Sequence, residues 1–337
     1  MNPPIVDFVP TADPLLRRPQ LAYVVELPIL GLATRFESNS RFVQDVVEES
    51  FGAWRARAAE AQTSEHPLRI TVVVHDDAER SDPPAPVRHI STEDGRLIVH
   101  SPGSVAIVDP SRRESLAYVT TALVADRGHF RVAVLEAITF ALVAGFDRHP
   151  VHAAALARDG RALLLAARSG TGKSTIAYMA HRAGIGVLSD DHVWVQLQPA
   201  LRIWSGSPQA WLLAEASAHF PELSELSDVA HEEAGSSPGT RPQRKVRVML
   251  PAAGEAVPCL SATVCVMERG TSVALERVDG SQLRQALATQ LAPGFDRFSA
   301  RHELVMGALT AEGGWRLTLS DNPFDALPLL QRMLDAR

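Results

Sequence analysis

The chain has 337 residues, 46% of them hydrophobic, enough for two ordinary domains with real cores. A net charge of −6 with 21% charged residues argues against a nucleic-acid groove, which needs a basic face. The two cysteines, Cys259 and Cys265, share one face of a strand-like segment too far apart to bridge within it, and read as core thiols in a reducing compartment.

The N-terminus has no basic-then-apolar signal design. The longest apolar stretch, residues 130–146, contains Arg131 and Glu136 and is short for a bilayer span. A cytoplasmic protein without membrane or nucleic-acid partners is therefore expected.

In chain order, residues 21–32 read as a strand pair around Pro28. Residues 39–61 repeat Phe42, Val46, Val47, Phe51 and Trp54 at helical spacing, with Ser38 or Asn39 as the N-cap. Residues 68–74 alternate as a half-buried strand. The proline-rich run 81–86 cannot continue a ladder and reads as a loop or edge. Short strands are expected at 96–100, 104–108 and 116–123, closing a smaller α+β module over residues 1–126. A second domain, 127–337, starts with an apolar helix at 131–145, expected between the two modules.

Residues 151–158, the pair Asp159-Gly160 and residues 161–167 then read as a strand, a two-residue hairpin turn and a strand. The second strand runs into Arg168-Ser169-Gly170-Thr171-Gly172-Lys173-Ser174-Thr175, and a helical pattern follows to Ala183, stopped by Gly184. An apolar strand, a glycine-containing turn and Lys-Ser-Thr opening a helix make a phosphate-binding P-loop. Its backbone N–H groups would surround phosphate oxygens, aided by the helix N-terminus. Ser169, Gly170, Thr171, Gly172, Lys173, Ser174 and Thr175 form this cradle. Lys173 would reach the β- and γ-phosphates of ATP, and Ser174 would ligate Mg²⁺. Where the pattern usually begins with glycine the chain has Ala167, which is acceptable unless φ there is positive.

Residues 185–189 return as a strand ending in Asp190-Asp191, which should lie next to the P-loop. Asp191 would hold Mg²⁺ and Asp190 would accept the proton of an attacking hydroxyl. The residues alone leave open that the pair merely caps a turn. A helix is expected near 209–220, a polar loop at 232–244, strands at 246–250, 259–268 and 315–319, and helices at 281–291, 298–309 and 323–334. Arg241, Arg244, Lys245 and Arg247 form a flexible basic segment that could close over the triphosphate, with Lys245 or Arg244 as the catalytic cation. Arg297, Arg301 and His302 are weaker candidates.

The run Ser169 to Ser174, the hairpin before it and Gly-Val-Leu-Ser-Asp190-Asp191 soon after it resemble the catalytic domain of HPr kinase/phosphorylase and the broader group of HPr-kinase-like serine kinases. Phosphoenolpyruvate carboxykinase shares that nucleotide-site architecture more distantly. The resemblance spans residues 151–195. It implies an α/β fold with a mixed sheet, Asp190 as general base, Asp191 on Mg²⁺, and His152 at the hairpin start as the residue orienting Asp190. The family's Glu-Ile-Arg-Gly-Leu-Gly signature is missing, and residues 204–211 stand in that region without an acid. That argues against HPr as substrate and against phosphorolysis. The expected activity is an ATP- and Mg²⁺-dependent kinase acting on a hydroxyl, with serine the expected one, of a peptide, protein or small molecule. The alternative is a non-catalytic ATP-binding switch. A carboxykinase would need further basic and metal-binding residues that the chain does not offer at recognisable positions.

Overall fold

The computed structural model describes residues 19–55, 66–75, 86–205, 209–225, 229–231, 243–250, 259–288 and 299–336. The chain divides into two compact units, residues 1–146 and 147–337. The boundary therefore falls after the apolar helix and not at 126. That helix stays with the first unit because its apolar side chains pack onto the first sheet.

The first unit contains β1 (Tyr23–Ile29), β2 (Leu32–Ser38), α1 (Arg41–Phe51), β3 (Leu68–His75), β4 (Arg88–Ser91), β5 (Leu97–Ser101), β6 (Ser104–Asp109) and β7 (Glu114–Thr120). Next come α2 (Thr121–Ala125), α3 (Arg127–Phe130), a π-helical stretch Arg131–Glu136 and α4 (Ala137–Ala144). The seven strands form one sheet in the order β1-β2-β3-β7-β6-β5-β4. Helices α1 and α4 pack on one face of it, with Phe51 stacked on Phe36 and edge-on to Phe140.

Three expectations shift here. The first turn lies at Leu30-Gly31, both with positive φ, and not at Pro28, which fits inside the edge strand β1 where a missing donor is tolerated. Ser40 is the N-cap of α1, while the Asn39 side chain bonds both backbone groups of Val74 at 2.8 Å, pinning the helix start to β3. Helix α1 ends at Phe51, followed by one tighter turn, and the remainder of the expected helix and most of the proline-rich run lie outside the described residues.

The second unit contains β8 (His149–His152), β9 (Ala154–Arg158), β10 (Arg161–Ala166), α5 (Lys173–Arg182), β11 (Gly186–Ser189), β12 (His192–Gln196), β13 (Arg202–Trp204), β14 (Gln209–Leu213), β15 (Val229–His231) and β16 (Gln243–Met249). It continues with β17 (Ser261–Arg269), β18 (Ala274–Val278), α6 (Gly280–Ala288), α7 (Ser299–Thr310), β19 (Gly314–Leu319) and α8 (Leu327–Asp335). Its main sheet is mixed, in the order β11-β9-β10-β17-β19-β18. Smaller sheets are β13-β12-β8 and β14-β16-β15.

Strand β10 is central and apolar on both sides, as a doubly covered strand requires. Leu163 and Leu165 meet Ile176, Met179 and Leu330 on one face. Leu164 and Ala166 meet Val266, Leu283, Val305 and Leu309 on the other. Residues 209–213, expected as the start of a helix, pair with β16 as a strand, and only a 3-10 turn follows.

Candidate functional site

The hairpin before the glycine-containing loop forms through Asp159 (φ 49°) and Gly160 (φ 74°), the left-handed pair that a two-residue turn needs. The strand expected over 151–158 is broken, however. Ala153 donates to the carbonyl of Val151 at 3.0 Å, and the kink separates β8 from β9. His152 thus belongs to the small sheet, opposite His192, and not to the hairpin.

After β10 the chain turns at residues 167–172 and enters α5 at Lys173. Gly170 (φ 80°) and Gly172 (φ 116°) supply the left-handed conformations that fold the loop back. Ala167 is fully buried and is not among the positive-φ residues, so replacing the usual glycine introduces no strain. Helix α5 closes with Gly184 in the left-handed region, its N–H on His181 and that of Ile185 on Ala180, both at 2.9 Å.

Lys173 is buried, and its Nζ donates to the Ala167 carbonyl at 2.8 Å. The lysine therefore lies folded over the loop. Arg269, at the end of the neighbouring β17, lays its guanidinium against the loop from outside. A Cβ at Gly172 would come within 3.0 Å of Nη2, while Nη1 donates to the Ser320 carbonyl at 2.9 Å.

Strand β11 lies beside β9, one strand away from β10. A bulge between Val187 and Ser189 ends it, and Asp190 and Asp191 occupy the crossing into β12. Ser189 Oγ accepts from the N–H groups of Asp191 (3.3 Å) and His192 (3.2 Å), which fixes this corner.

The corner sends the two carboxylates to different neighbours. Asp190 is 5% exposed, accepts the N–H of Trp211 at 3.1 Å and stands beside the Ser174 hydroxyl. Desolvation pushes its pKa up to about 6, with the Trp211 N–H and the Ser174 hydroxyl opposing the rise and the charge of Asp191 adding to it. Asp191 is half-exposed. Its Oδ1 accepts from Nε2 of His152 at 2.9 Å, and its Oδ2 lies 2.5 Å from Nδ1 of His192. Partial burial would raise its pKa, but the bonds from the two imidazoles outweigh it and hold Asp191 well below the usual carboxylate range.

His152 thus contacts Asp191 and not the expected Asp190. Ser174 and Asp190 together suit Mg²⁺, a hard cation served by hydroxyl and carboxylate oxygens. A buried carboxylate held near 6 is also one whose desolvation a dication would relieve. His152, Asp191 and His192 bring ligand atoms within 4.8 Å of one another and could also hold a cation.

Sequence reasoning missed Trp211, His192 and Arg269. The Trp211 contact is through backbone and has no side-chain signature. His192 directly follows the acidic pair, which is a readable cue. Arg269 reaches the loop only because β17 pairs with β10, which the local sequence does not encode. Lys245, Arg244 and Arg247 lie in β16, with Lys245 opposite Leu213 and Val229, so the strand starts before the expected 246. Their side chains, together with Arg241 and Arg297, lie outside the described residues. His302 bonds His149 at 2.9 Å.

No helix among the described residues is long and apolar enough to cross a membrane. No protein-family model matches the chain, and no curated protein matches it. Among solved structures, the HPr(Ser) kinase/phosphatase from Coxiella burnetii is distantly similar, with 8% identity and a TM-score of 0.25, over 55% of this chain and 96% of its own.

Proposed function

We propose that the chain is an ATP-dependent kinase that transfers the γ-phosphoryl group to a hydroxyl, a serine of a peptide or protein or an alcohol of a small molecule. The observation that carries this reading is the meeting of Asp190 with the Ser174 hydroxyl at the mouth of a P-loop, with a second carboxylate beside it gripped by two histidines. A nucleotide switch needs the first of these. It has no evident use for the second.

Bound phosphates would draw Lys173 off the Ala167 carbonyl, because a charged acceptor makes the stronger bond. Gly170 and Gly172 let backbone N–H groups face the phosphate oxygens. Mg²⁺, held by Ser174 and Asp190, would supply charge neutralisation across the β- and γ-phosphates.

The contacts favour exchanging the carboxylate roles that the family resemblance implies. Asp190 is buried and already occupied by Ser174 and Trp211, whereas Asp191 is open enough for an acceptor hydroxyl to approach. Asp191 is a weak base, but in a loose phosphoryl-transfer transition state orienting the hydroxyl contributes more than early deprotonation. His152 and His192 would hold that carboxylate's direction. Lys245 stays a candidate cation for the transferring phosphoryl group, argued from its position in the strand that flanks Trp211.

The test is γ-labelled ATP offered with a degenerate serine-containing peptide pool, alongside calorimetric MgATP binding. Wild type should bind and label, Lys173→Ala should do neither, and Asp191→Asn should bind without labelling. A wild-type chain that fails to bind MgATP would falsify the whole reading. Binding with transfer undiminished in Asp191→Asn would remove that residue's assignment alone.

A further inference from the structure

The two flanks of the loop at residues 167–172 carry opposite charge. Strand β10 is parallel to β17, which is parallel to β19, and both β10 and β11 run antiparallel to β9. The C-terminal ends of β11, β10, β17 and β19 therefore line one edge of the sheet, where ligands of such sheets bind. Past the end of β11 stand Asp190 and Asp191. On the other side of β10, β17 ends in Arg269 and β19 leads into Ser320.

Alternation places the arginine. Cys265 and Met267 lie in the core cluster with Leu165 and Ile176, under α5, and Arg269 continues their row. Glu268 turns to the opposite face, 3.4 Å from the Thr318 hydroxyl across the β17–β19 register. Val266 is the partner of Ala166, where β10 stops, so β17 outruns its neighbour and brings Arg269 level with the loop. The side chain is exposed, and its one hydrogen bond among the described residues runs from Nη1 to the Ser320 carbonyl at 2.9 Å. No described carboxylate pairs with it. Nη2 faces the loop at Gly172, where a Cβ would approach it to 3.0 Å, so the glycine also makes room for the cation.

We propose, on the kinase reading above, that Arg269 binds the α-phosphate of the nucleotide. A triphosphate whose transferred end faces Asp190 and Asp191 carries its α-phosphate and nucleoside towards the other flank of the loop, over the ends of β17 and β19. Arg269 is the cation that stands there. Its planar fork suits two phosphate oxygens at once, and the Ser320 carbonyl holds the fork from behind without neutralising it. Lys173 is left for the β- and γ-phosphates. The α-phosphate keeps its place from substrate to product, so Arg269 contributes to affinity and not to the rate of the chemical step.

Calorimetric binding of MgATP and MgADP, with steady-state transfer kinetics, tests this on the full chain. Arg269→Ala should weaken both nucleotides by the same factor, about tenfold or more, as loss of a charged hydrogen bond does. KM for ATP should rise accordingly, with kcat within about twofold of wild type. Arg269→Lys should recover part of the affinity. Arg269→Gln, which can still donate to the Ser320 carbonyl but carries no charge, should not. Melting curves without nucleotide establish that each variant is folded, and the Lys and Gln variants decide the matter should the Ala variant fail to fold. A loss confined to MgATP, or a fall in kcat, overturns the proposal, since the cation then meets the γ-phosphate. Full affinity in Arg269→Gln overturns it too, leaving the side chain a brace for the loop. Wild type that binds MgATP no more tightly than Arg269→Ala removes this assignment alone. Wild type that binds no MgATP at all ends the kinase reading and this role together.

Discussion

His152 stacks on His192 with ring centroids 5.0 Å apart, and each ring gives one nitrogen to a different oxygen of Asp191. The carboxylate is thereby fixed in plane and direction, in the way that a second histidine contact removes the rotation a single bond allows.

His152→Ala is therefore expected to lower phosphoryl transfer about 10²-fold, the lower end for a disturbed general base. Nucleotide affinity should stay within about twofold, because His152 contacts none of residues 167–175 among the described ones. Single-turnover transfer and calorimetric ATP binding separate the two. A matched loss in affinity would make His152 a structural support of the loop. His152→Gln, which can still donate one hydrogen bond, should recover part of the rate.

The exchange of carboxylate roles is open to a magnesium titration. With Asp190 beside Ser174, Asp190→Asn should raise the Mg²⁺ concentration for half-maximal ATP binding about tenfold or more, a loss of one charged ligand. Asp191→Asn should leave that midpoint nearly unchanged. The opposite pattern would restore the assignment that the family resemblance implies.

The strand–turn–helix around residues 161–183 was legible because its pattern is local: two glycines, a lysine and a hydroxyl follow one another at the turn. The hairpin before it was legible for the same reason, in Asp159-Gly160. What the sequence concealed depends on which strand ends lie side by side. The kink at Ala153 moves His152 into another sheet, and no composition marks it, since Ala153 to Ala155 read as uninterrupted strand. The bulge before Ser189 sends two adjacent carboxylates to separate partners, reversing their expected company. Residues 209–213 alternate weakly and become a strand only because β16 is there to pair with them.

The loop's two unusual positions give contrasting expectations. Gly172→Ala places a Cβ at φ 116° and within 3.0 Å of the Arg269 guanidinium. Backbone strain of about 1–3 kcal/mol at the helix start should abolish ATP binding even where the chain still folds. Ala167→Gly, at a buried position without left-handed backbone, should cost about 0.5–1 kcal/mol of stability and leave ATP affinity unaltered. Thermal melts with and without MgATP distinguish them. A gain in affinity from Ala167→Gly would show that the alanine restrains the loop.

The buried pair of His149 and His302 makes stability depend on pH. His149 is 3% exposed, and burial, followed by the charges of His302 and Arg301, pushes its pKa down from 6.5 to about 4. Between those values the unfolded chain takes a proton on this imidazole that the folded chain refuses, so stability rises with pH across the window. Its contribution is complete above about pH 6.5 and is lost progressively as pH falls towards 4. A difference of that size is on the order of 3 kcal/mol. Urea unfolding at pH 7 and pH 4.5 should show wild type losing about 2–3 kcal/mol more than His149→Gln over the same interval. The comparison cancels the titration of the carboxylates shared by both proteins. Equal losses in the two would mean that His149 is reached by water and titrates normally.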